Sequence, residues 1–537
     1  MPGILSPALE ARRPSTWDLP PRARLALGVL ISFALTKLVL QFVTTWVTPY
    51  GIHRDEFLYL SMGKHLHFWR MDFPPMIAVL AQCSRFVFGD TLFAVRFFPA
   101  LAGTAILALT GLMTRELGGG RLAQVVAMST LLLCALFLRA SALFQPVVFD
   151  QLCWTLGFFA LLKLSQQPRK RWWMLLGFAG ALGLLTKFSI GFFAVGILVG
   201  LLVTQNGRSL LKTRWPYVTG ILSLLFGSAS VIGQIRLGFP VLLQMHDLQA
   251  SQLDRLNYLD FILGQILMLG PAALLAGLGA ASLLFSRTMR PYRIVGWTCL
   301  VAFLVLMVLH GKAYYIGPIY PLLFAAGAAA LDRFSRTNRR VAVTTQLVLV
   351  GLWGVLSIPF GLPLLPPQPM AKFATKVGIS AAVKTNQGKV LSLPQDYADM
   401  LGWEEQVEAV AQVFKTLTPE KQAVAVLIAR NYGEAGALEF YGAKHGLPSR
   451  VLLGNNDLLW PPPPKPVDIA VSLGVPTKDL ARFFRSVNVV SVYDNTWRVP
   501  EERNVPICIV ETLYRDIYEA WPTYKRNGLA PPPSTSN

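Results

Sequence analysis

The chain has 537 residues, of which 53% are hydrophobic and only 15% charged, with a formal net charge of +20 and a mean hydropathy of +0.47. A soluble domain carries about a quarter charged residues, so this balance excludes an ordinary soluble protein and points to a multi-pass membrane protein. The basic residues sit in short clusters between apolar runs, a pattern of membrane topology rather than of nucleic-acid binding. The five cysteines contain no CxxC pair, so neither a metal site nor a disulfide framework follows.

In chain order, residues 1–24 read as a polar cytoplasmic tail carrying Arg12, Arg13, Arg22 and Arg24. The apolar run that follows, 25–47, is too long for a cleaved signal segment and opens a membrane domain over 25–360. A span needs about 20 apolar residues. Eleven candidates, within a range of ten to thirteen, lie at roughly 25–47, 91–113, 121–139, 148–165, 172–187, 189–204, 215–234, 259–285, 293–310, 314–331 and 341–360. The predicted fold class is therefore a membrane all-α polytopic bundle. No internal repeat is visible, which argues against an inverted-repeat transporter.

Alternate loops are rich in Arg and Lys: Arg115 and Arg121; Arg169, Lys170 and Arg171; Arg208, Lys212 and Arg214; Arg287, Arg290 and Arg293; Arg333, Arg336, Arg339 and Arg340. The positive-inside rule makes this set cytoplasmic, with the N-terminal arginines. The first loop, 48–90, and the tail from 361 then lie outside. Amphipathic helices are expected in that first loop, with Trp69, Phe73 and Phe86 suited to the headgroup region.

The tail opens with the proline-rich 359-PFGLPLLPPQP-369 and then alternates its patterns. Strands are predicted at 390–393, 423–429, 467–473, 489–494 and 506–513, and helices at 404–417, 433–446 and 477–487. This order predicts a soluble, extracytoplasmic α/β domain over 361–524, with a disordered end at 525–537.

The chemistry-bearing residues cluster on the outer side. Asp55 and Glu56 follow the first span among Phe57, Leu58, Tyr59 and Leu60. A carboxylate in reduced dielectric has a raised pKa and can take a proton from an attacking hydroxyl or amine. Asp150 sits at the outer mouth of the fourth span, where acids are costly. The plain alternatives are solvated anchors and a charge at a helix N-terminus. Lys187 falls between two apolar runs and Lys312 opens a span, where cations suit a phosphate at the bilayer surface. Snorkelling is the competing explanation for each lysine.

The stretches RDEFLYL (54–60), DFPPMIAVL (72–80), FQPVVFDQLCW (144–154), LGLLTKFS (182–189) and HGKAYYIGPIYPLLFAAGA (310–328) resemble those of a known family. It comprises the dolichyl-phosphate-mannose protein mannosyltransferases and the lipid A aminoarabinose transferases. The tail segments DYADMLGWEE (396–405), NYGEAGALEFYG (431–442) and GNNDLLWPPP (454–463) resemble a bacterial subset. The resemblance implies a C-type glycosyltransferase fold in the cell inner membrane. The implied activity moves a sugar from a polyprenyl-phosphate donor to a lipid, protein or glycan acceptor among the membrane lipids.

The resemblance further implies that the catalytic carboxylate of the first loop is Asp55, with Glu56 in the same motif and Asp150 as the second acid. From charge, the donor phosphate is expected near Lys187, Lys312 and Arg96, with Tyr314 and Tyr315 close by. Asn431, Tyr432 and Glu434 are acceptor-binding candidates, against an ordinary capped helix. A divalent cation, Mg or Mn, could sit between Asp55, Glu56 and the phosphate, but no ligand set is complete. The aminoarabinose transferases carry Lys-Pro where this chain has Phe73-Pro74-Pro75, a departure from their motif, so the resemblance does not carry their substrate over to this chain. A transporter or flippase of lipid-linked sugars, or a non-enzymatic envelope scaffold, are the alternative functions.

Overall fold

The computed structural model of the protein describes residues 23–513, apart from 256, 335, 379–382, 384, 386–387 and 454–466. Residues 1–22 of the predicted 1–24 tail, residues 514–524 at the end of the predicted tail domain, the predicted disordered end at 525–537 and the motif 454–463 therefore lie outside the described residues.

Among the described residues, six helices are long and apolar enough to cross a membrane: Leu27–Val47, Leu92–Glu116, Pro146–Gln166, Arg287–Val308, Ala313–Leu331 and Thr337–Gly361. Four further spans are bent pairs, so up to ten crossings result. They are Arg121–Leu133 with Ala135–Ser141, Ile190–Val203 with Gln205–Leu211, Trp215–Phe226 with Ser228–Arg236, and Tyr258–Leu269 with Ala272–Phe285. The expected span 172–187 is the helix Lys170–Thr186, at 17 residues a short one. The expected single span 259–285 turns by 114° at Gly270, whose φ of +53° only glycine adopts readily, and Pro271 is the N-cap of the next helix.

The bundle has two chemically distinct ends. At one, Gln124 Nε2 donates to the Arg24 carbonyl (3.0 Å), Arg333 Nη2 to Leu117 O (3.1 Å) and Gln166 Nε2 to the Tyr292 hydroxyl (2.9 Å). The basic loops 115–121, 169–171, 287–293 and 333–340 converge there. At the other end, the Thr48 hydroxyl donates to Pro363 O (2.7 Å), so the first loop meets the start of the tail. Four of the five basic loops read from charge thus meet at one end of the bundle.

The segment between the first two spans carries two helices, Arg54–Lys64 and Met76–Phe88. Met76–Phe88 buries Ile77, Ala78 and Ala81 and leaves Phe86 and Val87 exposed. The tail holds a five-stranded sheet, β1 (Val426–Ala429), β2 (Val451–Leu453), β3 (Ile469–Leu473), β4 (Phe484–Tyr493) and β5 (Val505–Leu513), in the order β2-β1-β3-β5-β4. β2, β1 and β3 are parallel, while β5 and β4 add antiparallel.

Two expectations in the tail need correction. Residues 477–487 form only the short helix Thr477–Leu480, because from Phe484 the chain pairs with β5. The segment 390–393 forms no strand beyond a single bridge at Val390. β2 was not expected.

Candidate active site

The helix Arg54–Lys64 begins at His53, whose Nδ1 accepts from the Asp55 backbone N–H (3.0 Å). Glu56 answers by accepting from the His53 N–H (2.7 Å), a capping box with His in the place of Ser or Thr. Tail residues hold this helix start in place: Gly51 N–H donates to Met400 O (3.1 Å) and Arg54 N–H to Asp399 O (3.0 Å). The tail motif 396–405 is therefore the cradle on which the first loop sits.

Asp55 keeps 32% of its side chain exposed. Its Oδ1 accepts from the Tyr432 hydroxyl (2.8 Å) and its Oδ2 from Gln145 Nε2 (3.2 Å). Arg54 Nε lies 4.0 Å from Oδ1, and its guanidinium lies over the Tyr432 ring at 5.9 Å. Each carboxylate oxygen has one partner and lone pairs left for a third group.

Glu56, adjacent in sequence, is placed differently. It is fully buried, and its second oxygen accepts from the Phe144 N–H (2.8 Å) with Arg96 Nε 3.7 Å away. Arg96 turns to this side too, donating to the Gly51 carbonyl (2.9 Å), so it stands apart from the lysines.

Those lysines converge. Lys187 lies in the extended break between Lys170–Thr186 and Ile190–Val203, with its ammonium over the Tyr315 ring at 4.8 Å. The Tyr314 and Tyr315 rings pack edge to face at 4.7 Å. Lys312, just ahead of them, lies within electrostatic reach of Asp55, Asp396 and Lys187. Asp150 is buried, accepting from Trp154 Nε1 (3.1 Å) and Ser189 Oγ (2.8 Å), and is the acidic neighbour of Lys187. Asp55, Asp150, Lys187, Lys312, Tyr314 and Tyr315 thus gather into one cluster at the end of the bundle that meets the tail.

Of the three tail candidates, only Tyr432 reaches Asp55. Asn431 caps the helix Tyr432–Tyr441, accepting from the Gly433 and Glu434 N–H groups (2.9 and 3.1 Å). Glu434 is buried and accepts from Arg430 Nη2 (3.0 Å); burial and the nearby Glu502 push its pKa up. Both hold the helix start that presents Tyr432.

The sequence did not single out His53, Gln145, Asp396 or Asp399. Desolvation opposes a charge on His53, but Asp396, Asp55 and Asp399 outweigh it and raise its pKa. The cap works against that tendency, because Nδ1 accepts a hydrogen bond and leaves the proton on Nε2. Burial raises the Asp399 pKa, with Arg54 and His53 only partly offsetting it. Among the described residues, no group of three His, Cys, Asp or Glu side chains is placed to hold a metal ion. The Asp55–Glu56 pair does not fit one either, since both Glu56 oxygens face backbone N–H groups.

Residues 72–232 match the family described as dolichyl-phosphate-mannose-protein mannosyltransferase. No curated protein matches the chain. Among solved structures, ArnT from Cupriavidus metallidurans bound to undecaprenyl phosphate is similar, with a TM-score of 0.59 and 16% identity over 94% of this chain and 100% of that one. Its apo form gives 0.59 and 16% over 90% and 98%. The arabinofuranosyltransferase AftD from Mycobacteria gives 0.52 and 14% over 92% of this chain and 42% of that one. The chain is a multi-pass membrane protein whose segment 72–232 carries the mannosyltransferase family match and which shares, over 94% of its length, the fold of ArnT, the likeness its motifs pointed to.

Proposed function

We propose that the protein transfers a sugar from a polyprenyl-phosphate donor to a hydroxyl or amine acceptor on the extracytoplasmic face of the cell inner membrane. The observation that carries this reading is the placement of the Asp55 carboxylate, partly exposed, opposite Lys312 and the Lys187–Tyr315 pair. One group suited to take a proton and two suited to hold phosphate lie together at the bundle end that meets the tail. ArnT, similar in fold, was solved with undecaprenyl phosphate, which supports a lipid phosphate as the donor's leaving portion.

In this reading the acceptor oxygen or nitrogen attacks the anomeric carbon and its proton passes to Asp55. The bond from the anomeric carbon to the phosphate oxygen breaks, and the lipid phosphate leaves with both electrons. A single displacement inverts the anomeric centre. Positive charge develops on the ring as in other glycosyl transfers, and Lys187 and Lys312 offset the negative charge growing on the phosphate. Tyr432 and Gln145 orient the base. Asp150 is too enclosed by Trp154 and Ser189 to meet the acceptor and acts by holding Lys187. Acceptor binding falls to the outer face of the Tyr432 helix.

The test supplies purified protein in membranes with radiolabelled polyprenyl-phosphate sugars and an envelope extract. Label moving to a lipid, protein or glycan supports the transferase. Label crossing the bilayer with the donor intact supports a flippase instead. Maleimide that cannot cross membranes should label a cysteine placed at His67 in intact spheroplasts if the first loop lies outside.

A further inference from the structure

A third carboxylate reaches the same cluster from the tail. Asp396, in the short helix Gln395–Ala398, is fixed by Arg139 from below: Arg139 Nε and Nη2 both lie 2.8 Å from Oδ2. The guanidinium itself is clamped over the Tyr397 ring at 5.0 Å. Oδ1 is left 3.6 Å from His53 Nε2, beyond good hydrogen-bond length, and the side chain keeps 50% of its surface accessible.

Half of this side chain is open to solvent, while Arg139 fixes its other oxygen. The same Lys312 and Tyr314 that feel Asp55 also feel Asp396, so both acids face the 312–315 segment. Their chemistry differs. Desolvation opposes a charge on Asp396, but Arg139 and the neighbouring His53 hold its carboxyl well below the usual carboxylate range. A group held that firmly as an anion is a poor base and a good permanent acceptor.

We propose that Asp396 is a sugar-binding residue: its Oδ1 accepts hydrogen bonds from hydroxyl groups of the transferred sugar while the donor phosphate rests on Lys187 and Lys312. This rests on the transferase reading and adds a specificity-determining residue to it. The geometry assigns phosphate and sugar to different walls. The lysines stand on the bundle, and Asp396 stands on the tail cradle, locked through Arg139 to the helix Ala135–Ser141. Lipid phosphate and sugar can then be weakened separately.

The test measures dissociation constants of the full-length protein in nanodiscs for bare undecaprenyl phosphate and for undecaprenyl phosphate carrying mannose, glucose or arabinose. Asp396→Asn keeps the shape and removes the charge. Losing hydrogen bonds to a charged group should weaken the best-bound glycosylated lipid by about tenfold or more, with bare undecaprenyl phosphate changed by less than about twofold. Lys312→Met should weaken both lipids alike. Asp396→Glu, which keeps the charge for Arg139 and moves the outer oxygen, should show the same selective loss if Asp396→Asn folds poorly.

Equal weakening of both lipids by Asp396→Asn, or no weakening of either, would overturn the proposal, as would a wild type that holds no glycosylated lipid more tightly than the bare one. A wild type that binds none of the four lipids would instead overturn the transferase reading itself.

Discussion

The Tyr432 hydroxyl donates to Asp55 Oδ1 at 2.8 Å, joining two residues 377 positions apart. The contact exists because two glycines let helices from different parts of the chain lie against each other. A Cβ at Gly436 would meet Phe57 Cβ at 2.6 Å, and one at Gly433 would meet Arg54 Cγ at 2.5 Å. The tail domain thereby contributes to the geometry around the Asp55 carboxylate.

Tyr432→Phe removes one hydrogen bond to a charged group and leaves the ring under Arg54. Such a bond is worth about 1.5–3 kcal/mol, so kcat/KM should fall by roughly 10- to 100-fold with little change in melting temperature. Steady-state transfer kinetics on the matched variant measure this.

Gly436→Val forces Phe57 and the tail helix apart, and overpacking of this kind costs about 1–3 kcal/mol. Tyr432 should be withdrawn from Asp55, so transfer falls while the spans stay folded. Limited proteolysis should cut the tail sooner than in the wild type, with the membrane fragment intact.

Glu56 should behave unlike Asp55. Glu56→Ala leaves the buried His53 and Phe144 N–H groups without acceptors and Arg96 without its counter-charge. Breaking a buried pair from one side costs about 3–5 kcal/mol. The variant should melt well below the wild type, and this instability should account for any activity it loses. An Asp55→Asn variant should melt like the wild type.

Acid should loosen the tail through Glu439. This side chain accepts from or pairs with His65 Nε2 at 2.8 Å and lies 3.8 Å from Lys64, linking the tail to the end of the first loop helix. Burial raises its pKa, but the His65 hydrogen bond and charge, with Lys64, outweigh this and hold it below the ordinary glutamate value. A carboxyl depressed in the folded state contributes fully above its unfolded value of about 4.3 and loses that contribution as pH falls through the folded value. Melting temperature should therefore decline as the solution is acidified below about pH 4.3, and Glu439→Gln should show a shallower decline.

The spans were legible because a run of apolar residues long enough to cross lipid needs no tertiary context. The bends were not, since Gly270-Pro271 marks a break without giving its angle. In the tail, 477–487 carries a helix-like pattern, yet pairing with β5 draws the chain into β4 from Phe484 onward, a long-range effect that local periodicity cannot register. Asp55, Asp150, Lys187 and Lys312 stood out as charges at span ends, and the structure gathers them. Arg96 stood out for the same reason but turns toward Glu56. His53 hid because histidine is an unusual cap, although Glu56 three residues on was the matching half of the signal. Asp396 sat within the quoted motif 396–405, but only the fold reveals that its carboxylate faces the same segment as Asp55.

The central claim is that the Asp55 carboxylate takes the acceptor's proton beside a lipid-borne sugar. The most direct measurement is the single-turnover rate of sugar transfer by wild type and Asp55→Asn in nanodiscs, with melting temperature and undecaprenyl phosphate binding recorded on the same samples. General-base assistance is worth about 10²–10⁴-fold, so the account predicts a rate at least about 100-fold lower with stability and lipid binding unchanged. A variant that transfers at close to the wild-type rate would contradict it.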